Sequence, residues 1–151
     1  MAFKMPKKEK IYEAYSAVSD GRVSMGDASA QVLSSDKSKA YTVTWDGDTY
    51  SSNDNSTYWQ GALGYPVIAV LMLRGILPLD RGTAELFRDV PWKELNAMYR
   101  NDYAKAAESV LGVLEGRGAD VGAVRAEADA VYDAIGRLDI SVRRGSLRPP
   151  V

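Results

Sequence analysis

Apolar and polar positions alternate strictly in one stretch near the middle of the chain. Tyr41, Val43 and Trp45 alternate with two threonines, a spacing typical of a strand that buries one face. After a polar turn, residues 49–52 continue the same period of two. The pattern predicts a β-hairpin.

A continuous apolar run, residues 67–73, follows this hairpin after a polar and aromatic segment. Pro66 opens the run and Gly75 stands just beyond it, which is the arrangement expected at the two ends of a helix. Because such a helix is apolar on every side, it has to be buried on nearly all of them. We therefore expect the rest of the chain to cover this strand–strand–helix unit.

Apolar residues at helical spacing predict further helices before and after this unit. The first spans about residues 7–19 and presents one apolar stripe, with lysine and glutamate between the apolar positions. A short helix is predicted to begin after the capping residue Asp80 and to reach Phe87. A long helix is predicted from Pro91 to about Gly116.

The last predicted helix follows Asp120 and carries a narrow apolar seam of coiled-coil type from Val121 to Leu138. The short loop before it predicts an antiparallel helical hairpin. Residues 22–34 are predicted to be extended. The fold class expected is therefore α+β: a small antiparallel β-sheet of about three strands packed on a buried central helix, with an N-terminal helix and a C-terminal antiparallel helical hairpin.

We expect a single domain over residues 1–151, because no long linker interrupts the chain. Residues 7–75 contain the N-terminal helix and the strand–strand–helix unit, and residues 76–140 form a helical C-terminal part. Residues 1–6 and 141–151 are predicted to be flexible tails.

Composition narrows the chemistry more than it narrows the fold. The chain has no cysteine and no histidine, which excludes disulfides, thiolate nucleophiles and every role of histidine in catalysis or metal binding. A net charge of −1 provides no overall field that attracts nucleic acid. No stretch approaches the roughly 18 apolar residues of a membrane span. We predict a cytoplasmic protein without cofactor, metal or membrane partner.

The polar and aromatic segment 51–60 is the best candidate for a binding site. It combines hydrogen-bonding groups with two aromatic rings, a mixture suited to gripping a peptide, a sugar or an unpaired base. The alternative is an ordered loop whose polar groups bond to their own backbone while the two rings fill the core. The predicted binding residues are Ser52, Asn53, Asp54, Asn55, Tyr58 and Trp59.

The order of elements in residues 12–73 resembles the SWIM zinc-binding module. The stretches that carry the resemblance are DGRV at residues 20–23, YTV at 41–43 and PVIAVL at 66–71. In that family a β-hairpin carries a CxC motif, and a CxH motif opens a following helix that is similar to the PVIAVL run.

All four metal ligands of that family are missing from this chain. Alignment on the apolar helix places the last cysteine at Gly64 and the histidine at Pro66, while the first pair falls near Ser51 and Asn53, or one residue later. The resemblance therefore implies a metal-free module in which packing and hydrogen bonds replace the zinc. It also implies contact with nucleic acid or protein.

Other interpretations of the same segment stay open. Asp46, Asp48 and Asp54 suggest a calcium loop, but the fifth and sixth positions counted from Asp46 hold tyrosine and serine instead of an oxygen ligand and glycine. An exposed hairpin turn is the simpler interpretation. Asp54 with Tyr58 as acid–base groups defines a small-enzyme hypothesis.

Basic residues near both chain ends could form a phosphate-binding surface if the ends meet. The alternative is a pair of solvated tails, since the overall charge is balanced. These residues are Lys4, Lys7, Lys8 and Lys10 at one end, and Arg137, Arg143, Arg144 and Arg148 at the other.

The function predicted from the sequence is a non-catalytic interaction module, metal-free and SWIM-like, that binds a protein or nucleic-acid partner through residues 51–60. The alternative is a structural homo-oligomer subunit, a homodimer in the simplest case, that associates through the C-terminal helical hairpin and has no ligand site. Exposure of Tyr58 and Trp59 separates binding from packing, because rings that contact a partner must reach solvent.

Overall fold

The computed structural model describes residues 2–151; Met1, the first residue of the predicted N-terminal tail, lies outside them. The described residues form an α+β fold with five strands and seven helices. The strands are β1 (Val23–Met25), β2 (Ser29–Leu33), β3 (Ala40–Asp46), β4 (Thr49–Ser52) and β5 (Ser141–Val142). The helices are α1 (Glu9–Ser19), α2 (Asn55–Gln60), α3 (Tyr65–Leu73), α4 (Arg81–Glu85), α5 (Trp92–Met98), α6 (Tyr103–Gly116) and α7 (Val121–Gly136).

The strands lie in the sheet in chain order, and β1 to β4 are antiparallel. The register pairs Ala30 with Val43 and Trp45 with Tyr50, and all four side chains are buried. Because side chains alternate between the two faces of a strand, this register places the buried positions on one face. The predicted hairpin of β3 and β4 is confirmed, with Gly47 in its turn at a φ of 59°.

Helix α3 lies between the sheet and helix α1. It contacts α1 as well as β1, β3 and β4. Every residue from Pro66 to Met72 is buried, as expected for a helix that is apolar on all sides. The prediction of a buried central helix is confirmed.

The sheet is larger than the three antiparallel strands predicted. Residues 22–34 contain two strands, β1 and β2, and segments near both chain ends join the edge beside β4. Strand β5 pairs in parallel with β4, and the Ser141 N–H donates to the Asp48 carbonyl at 2.9 Å. Ala2 forms a bridge with Ser141, and the Lys4 N–H donates to the Gly61 carbonyl at 2.8 Å. The segments predicted to be flexible tails are therefore attached through their backbone. A strand of two residues is too short for a hydrophobic period to reveal it.

Helix α2 replaces part of the loop predicted over residues 53–64. Asp54 precedes the helix in extended conformation, and its carboxylate accepts a hydrogen bond from the Thr57 N–H. This is an ordinary N-cap. Gly61 ends the helix in the left-handed region, with a φ of 66°.

The single long helix predicted from Pro91 is divided into α5 and α6. Arg100 and Asn101 adopt φ values of 52° and 62°, which no α-helix contains. Asp102 then caps α6 by accepting a hydrogen bond from the Lys105 N–H at 3.1 Å. The apolar spacing continues across the break, so the pattern alone does not show it.

Helix α1 is covered on nearly all sides, and not on a single stripe as predicted. All residues from Ile11 to Val18 are buried, and the helix contacts α3, α4, α6 and α7. The apolar seam of α7 faces into the same core. Its buried members are Val121, Val124, Ala128, Val131 and Ile135.

Candidate functional site

The polar half of the predicted binding segment is mostly inside the protein. Ser52, Asn53 and Asp54 are buried, whereas Asn55 is exposed as the first residue of α2. Three of the four predicted polar binding residues are therefore closed to a large partner.

Asp54 is the centre of a hydrogen-bonded group that we call the Asp54 network, formed by Ser52, Asp54, Thr57 and Gly64. The carboxylate accepts from Ser52 Oγ at 2.6 Å and from the Thr57 N–H at 3.1 Å. Thr57 Oγ1 accepts from the Gly64 N–H at 3.1 Å. The network connects the end of β4, the start of α2 and the start of α3.

Asn53 connects two other parts of the backbone. Its Oδ1 accepts from the Thr42 N–H at 2.8 Å, and its Nδ2 donates to the Arg148 carbonyl at 3.2 Å. Both ends of the side chain are therefore engaged within the chain, which is a structural role.

The two predicted aromatic binding residues lie in different environments. Tyr58 is 9% exposed and Trp59 is 60% exposed, with the rings edge to face at 4.7 Å. The Arg144 guanidinium lies over both rings, at 4.9 Å from the Tyr58 centroid and 5.4 Å from that of Trp59. Arg144 Nε also donates to the Tyr58 carbonyl at 2.8 Å. Trp59 is thus the one ring of the pair that presents a surface to solvent.

A cavity of about 480 Å³ opens beside the Asp54 network, between α1, the turn from β2 to β3, the start of α2 and helix α5. This volume is within the range of sites that bind small molecules. Of the six predicted binding residues, Asp54 and Asn55 line the cavity. Lys10, a member of the basic surface predicted near the chain ends, also lines it, whereas the other charged groups around it are not predicted from the sequence.

Glu13 contributes a buried carboxylate to the cavity. The side chain of this residue of α1 forms an ion pair with Lys10 at 3.2 Å, and Asn96 Nδ2 donates to it at 3.4 Å. Glu13 is only 5% exposed, and this burial raises the pKa of its carboxyl above the usual value, while the Lys10 ammonium opposes the shift.

Arg22 places a buried guanidinium on the same cavity, with 3% of the residue exposed. Its Nε donates to Asp20 at 3.1 Å and its Nη1 donates to the Leu33 carbonyl at 2.6 Å. These contacts fix the planar group in one orientation.

Asp54 is the second buried carboxylate of the cavity. Burial raises its pKa, although the hydrogen bonds from Ser52 and Thr57 favour the ionised form. Two carboxylates with raised pKa values and one fixed guanidinium in a single cavity are the kind of cluster that is found at functional sites.

Three further cationic side chains, those of Lys39, Lys93 and Arg100, line the outer part of the cavity. Lys93 is paired with Asp36 at 3.1 Å. Arg100 belongs to the left-handed pair that separates α5 from α6, and non-glycine residues in that conformation are enriched at functional sites. The break in the predicted long helix thus places a cation at the cavity.

Aromatic side chains form the remaining walls. Tyr41 and Tyr65 meet edge to face at 6.3 Å, and Lys10 lies 4.0 Å from the centroid of Tyr103. Burial raises the pKa of the Tyr41 and Tyr65 hydroxyls, so both stay neutral at physiological pH. The cavity can therefore hold an organic ring or chain while charged groups fix its polar ends.

The sequence contains weak signals for this site that periodicity does not capture. Lys10 and Glu13 stand three residues apart on α1, a spacing that brings side chains together on a helix. In the sequence Glu13 also stands between Tyr12 and Tyr15, two residues that are buried in the structure. A single apolar stripe on this helix predicts that Glu13 faces solvent, whereas the structure buries it beside Asn96 of α5.

Residues 2–151 contain no group of three or more carboxylate side chains that could hold a metal ion. In the same residues, no helix has the length and apolar character that crossing a membrane requires.

No curated protein and no solved structure matches this chain. One family model does match it, over residues 3–141, which include α1, the whole sheet apart from the last residue of β5, and every helix. The match contains all the residues described above that line the cavity. The chain therefore belongs to the family described as uncharacterised conserved protein UCP014422.

Proposed function

We propose that the chain is a non-catalytic binding module and that its main site is the cavity beside the Asp54 network, which receives a small polar molecule. The observation that carries this proposal is the convergence of Glu13, Arg22 and Asp54, each less than a tenth exposed, on one open cavity. The cytoplasmic location predicted from the sequence is part of the proposal.

A contribution to protein stability does not explain why Glu13, Arg22 and Asp54 are buried. Burying an ionised group is costly, and replacing a buried ion pair by apolar side chains of similar volume is often neutral or stabilising. The Lys10–Glu13 pair lies at the wall of a cavity and not within close-packed core. A ligand that hydrogen-bonds to these buried charged side chains would explain why they are present.

The contacts of Asp54 favour binding over acid–base catalysis. Both carboxylate oxygens already accept hydrogen bonds, from Ser52 and from Thr57, and these bonds fix the start of α2. Tyr58, the other member of the small-enzyme hypothesis, is not among the residues that line the cavity. In this proposal the Asp54 carboxylate is a hydrogen-bond acceptor held in a fixed position.

The resemblance to the SWIM module is compatible with the proposal. Ser52, Asp54 and Gly64, three of the positions aligned with the metal ligands, belong to the Asp54 network. We propose that this network takes the place of the metal by joining the hairpin to the helix that follows it.

Thermal unfolding with small probes tests the site. The probes are ribose, ribose 5-phosphate, adenosine, adenosine monophosphate, glutamate and arginine, and any that binds the folded state raises the melting temperature. Ala97→Phe adds a ring at the α5 wall of the cavity and narrows it, and Ala130→Phe adds the same ring at an exposed position of α7 as a control.

We expect at least one probe to stabilise the natural protein and the Ala130→Phe variant, but not the Ala97→Phe variant. The proposal fails if no probe stabilises the protein. It also fails if the stabilisation persists undiminished in the Ala97→Phe variant.

The exposed indole of Trp59 favours a second candidate function, contact with a protein or nucleic-acid partner as the sequence predicts. An indole that is 60% exposed, with Arg144 against its face, resembles the stacking platforms that receive unpaired bases. Quenching of tryptophan fluorescence by a single-stranded oligonucleotide tests it. The quenching should disappear in Trp59→Ala and persist in Met98→Ala, whose residue is 64% exposed elsewhere. Equal quenching in both variants, or none in the natural protein, rejects this candidate.

A further inference from the structure

We infer that the cavity beside the Asp54 network takes a phosphate monoester whose organic part carries O–H or N–H donors. The inference rests on the binding function proposed above and names the chemical class of the ligand. It follows from the charges that line the cavity and from which of them are already paired within the chain.

The lining of the cavity is far more positive than the molecule as a whole. The chain has a net charge of −1, whereas five cationic and two carboxylate side chains line the cavity. Even with both carboxylates ionised, the lining residues carry an excess of positive charge, which Asp20 and Asp36 just outside the lining balance in part. The cations are those of Lys10, Arg22, Lys39, Lys93 and Arg100.

Three of the five cations are engaged inside the protein. Lys10 is paired with Glu13, and Arg22 and Lys93 are paired with aspartates. For Lys39 and Arg100, by contrast, the described part of the chain provides no carboxylate at salt-bridge distance. These two side chains come from different elements, the turn before β3 and the break between α5 and α6.

Two cations without carboxylate partners match a phosphate monoester better than a carboxylate. A monoester carries about 1.5 to 2 negative charges near neutral pH and has three strong acceptor oxygens. A carboxylate carries one charge and two oxygens. A dianion therefore balances the two charges of Lys39 and Arg100, and both side chains, like that of Lys93, line the cavity.

Glu13 offers acceptor positions to hydrogen-bond donors of the ligand. Glu13 accepts one long hydrogen bond from Asn96 and one ion pair from Lys10, and a carboxylate has about four acceptor positions. The lining also includes the rings of Tyr41 and Tyr65. Sugar hydroxyls and the edge of a nucleobase both supply O–H or N–H donors on a body that packs against aromatic rings.

Isothermal titration calorimetry on the full chain tests the inference with matched pairs of probes. Ribose 5-phosphate is compared with ribose, adenosine monophosphate with adenosine, and inorganic phosphate is titrated alone. We expect each phosphorylated probe to bind about tenfold or more tightly than its partner, as charge-assisted hydrogen bonds require. The tighter of the two monoesters identifies the ligand as a sugar phosphate or a nucleotide.

Two sets of variants test whether Lys39 and Arg100 cause the tighter binding of phosphorylated probes. Lys39→Met with Arg100→Met should abolish the advantage of the phosphorylated probe, whereas Arg117→Met, at an exposed position after α6, should leave it unchanged. Phosphorylated and unphosphorylated probes of equal affinity overturn the inference, as does phosphate binding that survives the double variant. Inorganic phosphate that binds as tightly as both monoesters overturns the requirement for an organic part.

The failure of this inference can be told apart from failure of the binding function. A probe without phosphate that binds the natural protein and is excluded by Ala97→Phe leaves the cavity as the binding site and rejects only the phosphate. The absence of binding by every probe rejects both.

Discussion

The carboxylate of Asp54 occupies the space that any side chain at Gly64 would need. A Cβ atom added to Gly64 would overlap with Asp54 Oδ2 and also crowd the rest of the carboxyl group. The backbone of Gly64 is extended, with a φ of −71°, so other residues could adopt its conformation. Glycine is required there because of the neighbouring carboxylate and not because of the backbone.

Gly64→Ala should therefore destabilise the protein. The added methyl group forces the Asp54 carboxylate away from Ser52 and Thr57, which breaks the Asp54 network at the start of α3. We expect the free energy of unfolding to fall by about 1–3 kcal/mol, as for other overpacked sites. Chemical denaturation measures the change.

Gly112→Ala provides the control for this substitution. Gly112 lies within α6, is exposed and would place its new methyl group in open space. Replacing a glycine inside a helix by alanine should add about 1 kcal/mol of stability. If both alanine variants change stability in the same direction, contact with Asp54 is not what constrains position 64.

Ser16→Ala should also destabilise the protein, because it leaves two buried groups without a partner. Ser16 Oγ donates to the Phe87 carbonyl at 2.6 Å and accepts from Trp92 Nε1 at 2.7 Å. Loss of the hydroxyl should cost about 1–3 kcal/mol of unfolding free energy. Ser19→Ala is the matched control on α1, since Ser19 Oγ donates only to carbonyls of its own helix, and we expect a change below about 0.5 kcal/mol. Equal losses in the two variants would contradict the special role of Ser16.

The parts of the fold that sequence predicts well are those in which a local period or an end signal is strong. The hairpin of β3 and β4 has a strict period of two, and α3 has both Pro66 and an apolar run. The capping residues Asp80 and Asp120 were likewise identified from position alone, and both accept backbone hydrogen bonds as N-caps. Strand β5 was missed because its pairing with β4 is non-local and its two residues carry no period.

The site was harder to predict than the fold, because it is assembled from distant segments. Asp54 and Asn55 were identified from the density of polar residues in one stretch. Glu13, Arg22 and Arg100 come from three other parts of the chain, and each resembles an ordinary surface charge when its neighbours in sequence alone are considered. Only tertiary contacts, such as the packing of α5 beside α1, reveal that these charges meet at one cavity.

Glu13→Gln should change how stability depends on pH. The pKa of Glu13 is raised by burial above its ordinary value of 4.5, so the folded state keeps a proton that the unfolded state has lost over the interval between the two pKa values. The contribution of Glu13 to stability therefore falls as pH rises through that interval and is constant above it. Glutamine cannot titrate and lacks this contribution.

The measurement is the difference in unfolding free energy between Glu13→Gln and the natural protein, followed from pH 4 upwards, about where an exposed glutamate titrates. The difference should shift in favour of the variant as pH rises, and then become constant. Asp54 titrates in both proteins and its contribution cancels. A difference that does not change with pH would show that Glu13 titrates alike in the folded and unfolded states.

We expect the purified chain to sediment as a monomer, although its apolar C-terminal seam suggested a homodimer. The main members of that seam are buried within a single chain and are unavailable to a second copy. They are Val121, Val124, Ala128, Val131 and Ile135. Val113 is an exposed large apolar residue of the preceding helix, α6, with 53% of its surface exposed. Sedimentation equilibrium over a hundredfold range of concentration gives the mass. A dimer that Val113→Lys dissociates would instead establish self-association through the outer face of α6, because lysine at that position would place like charges at the contact between two copies. That result would favour the alternative function, a structural homo-oligomer subunit.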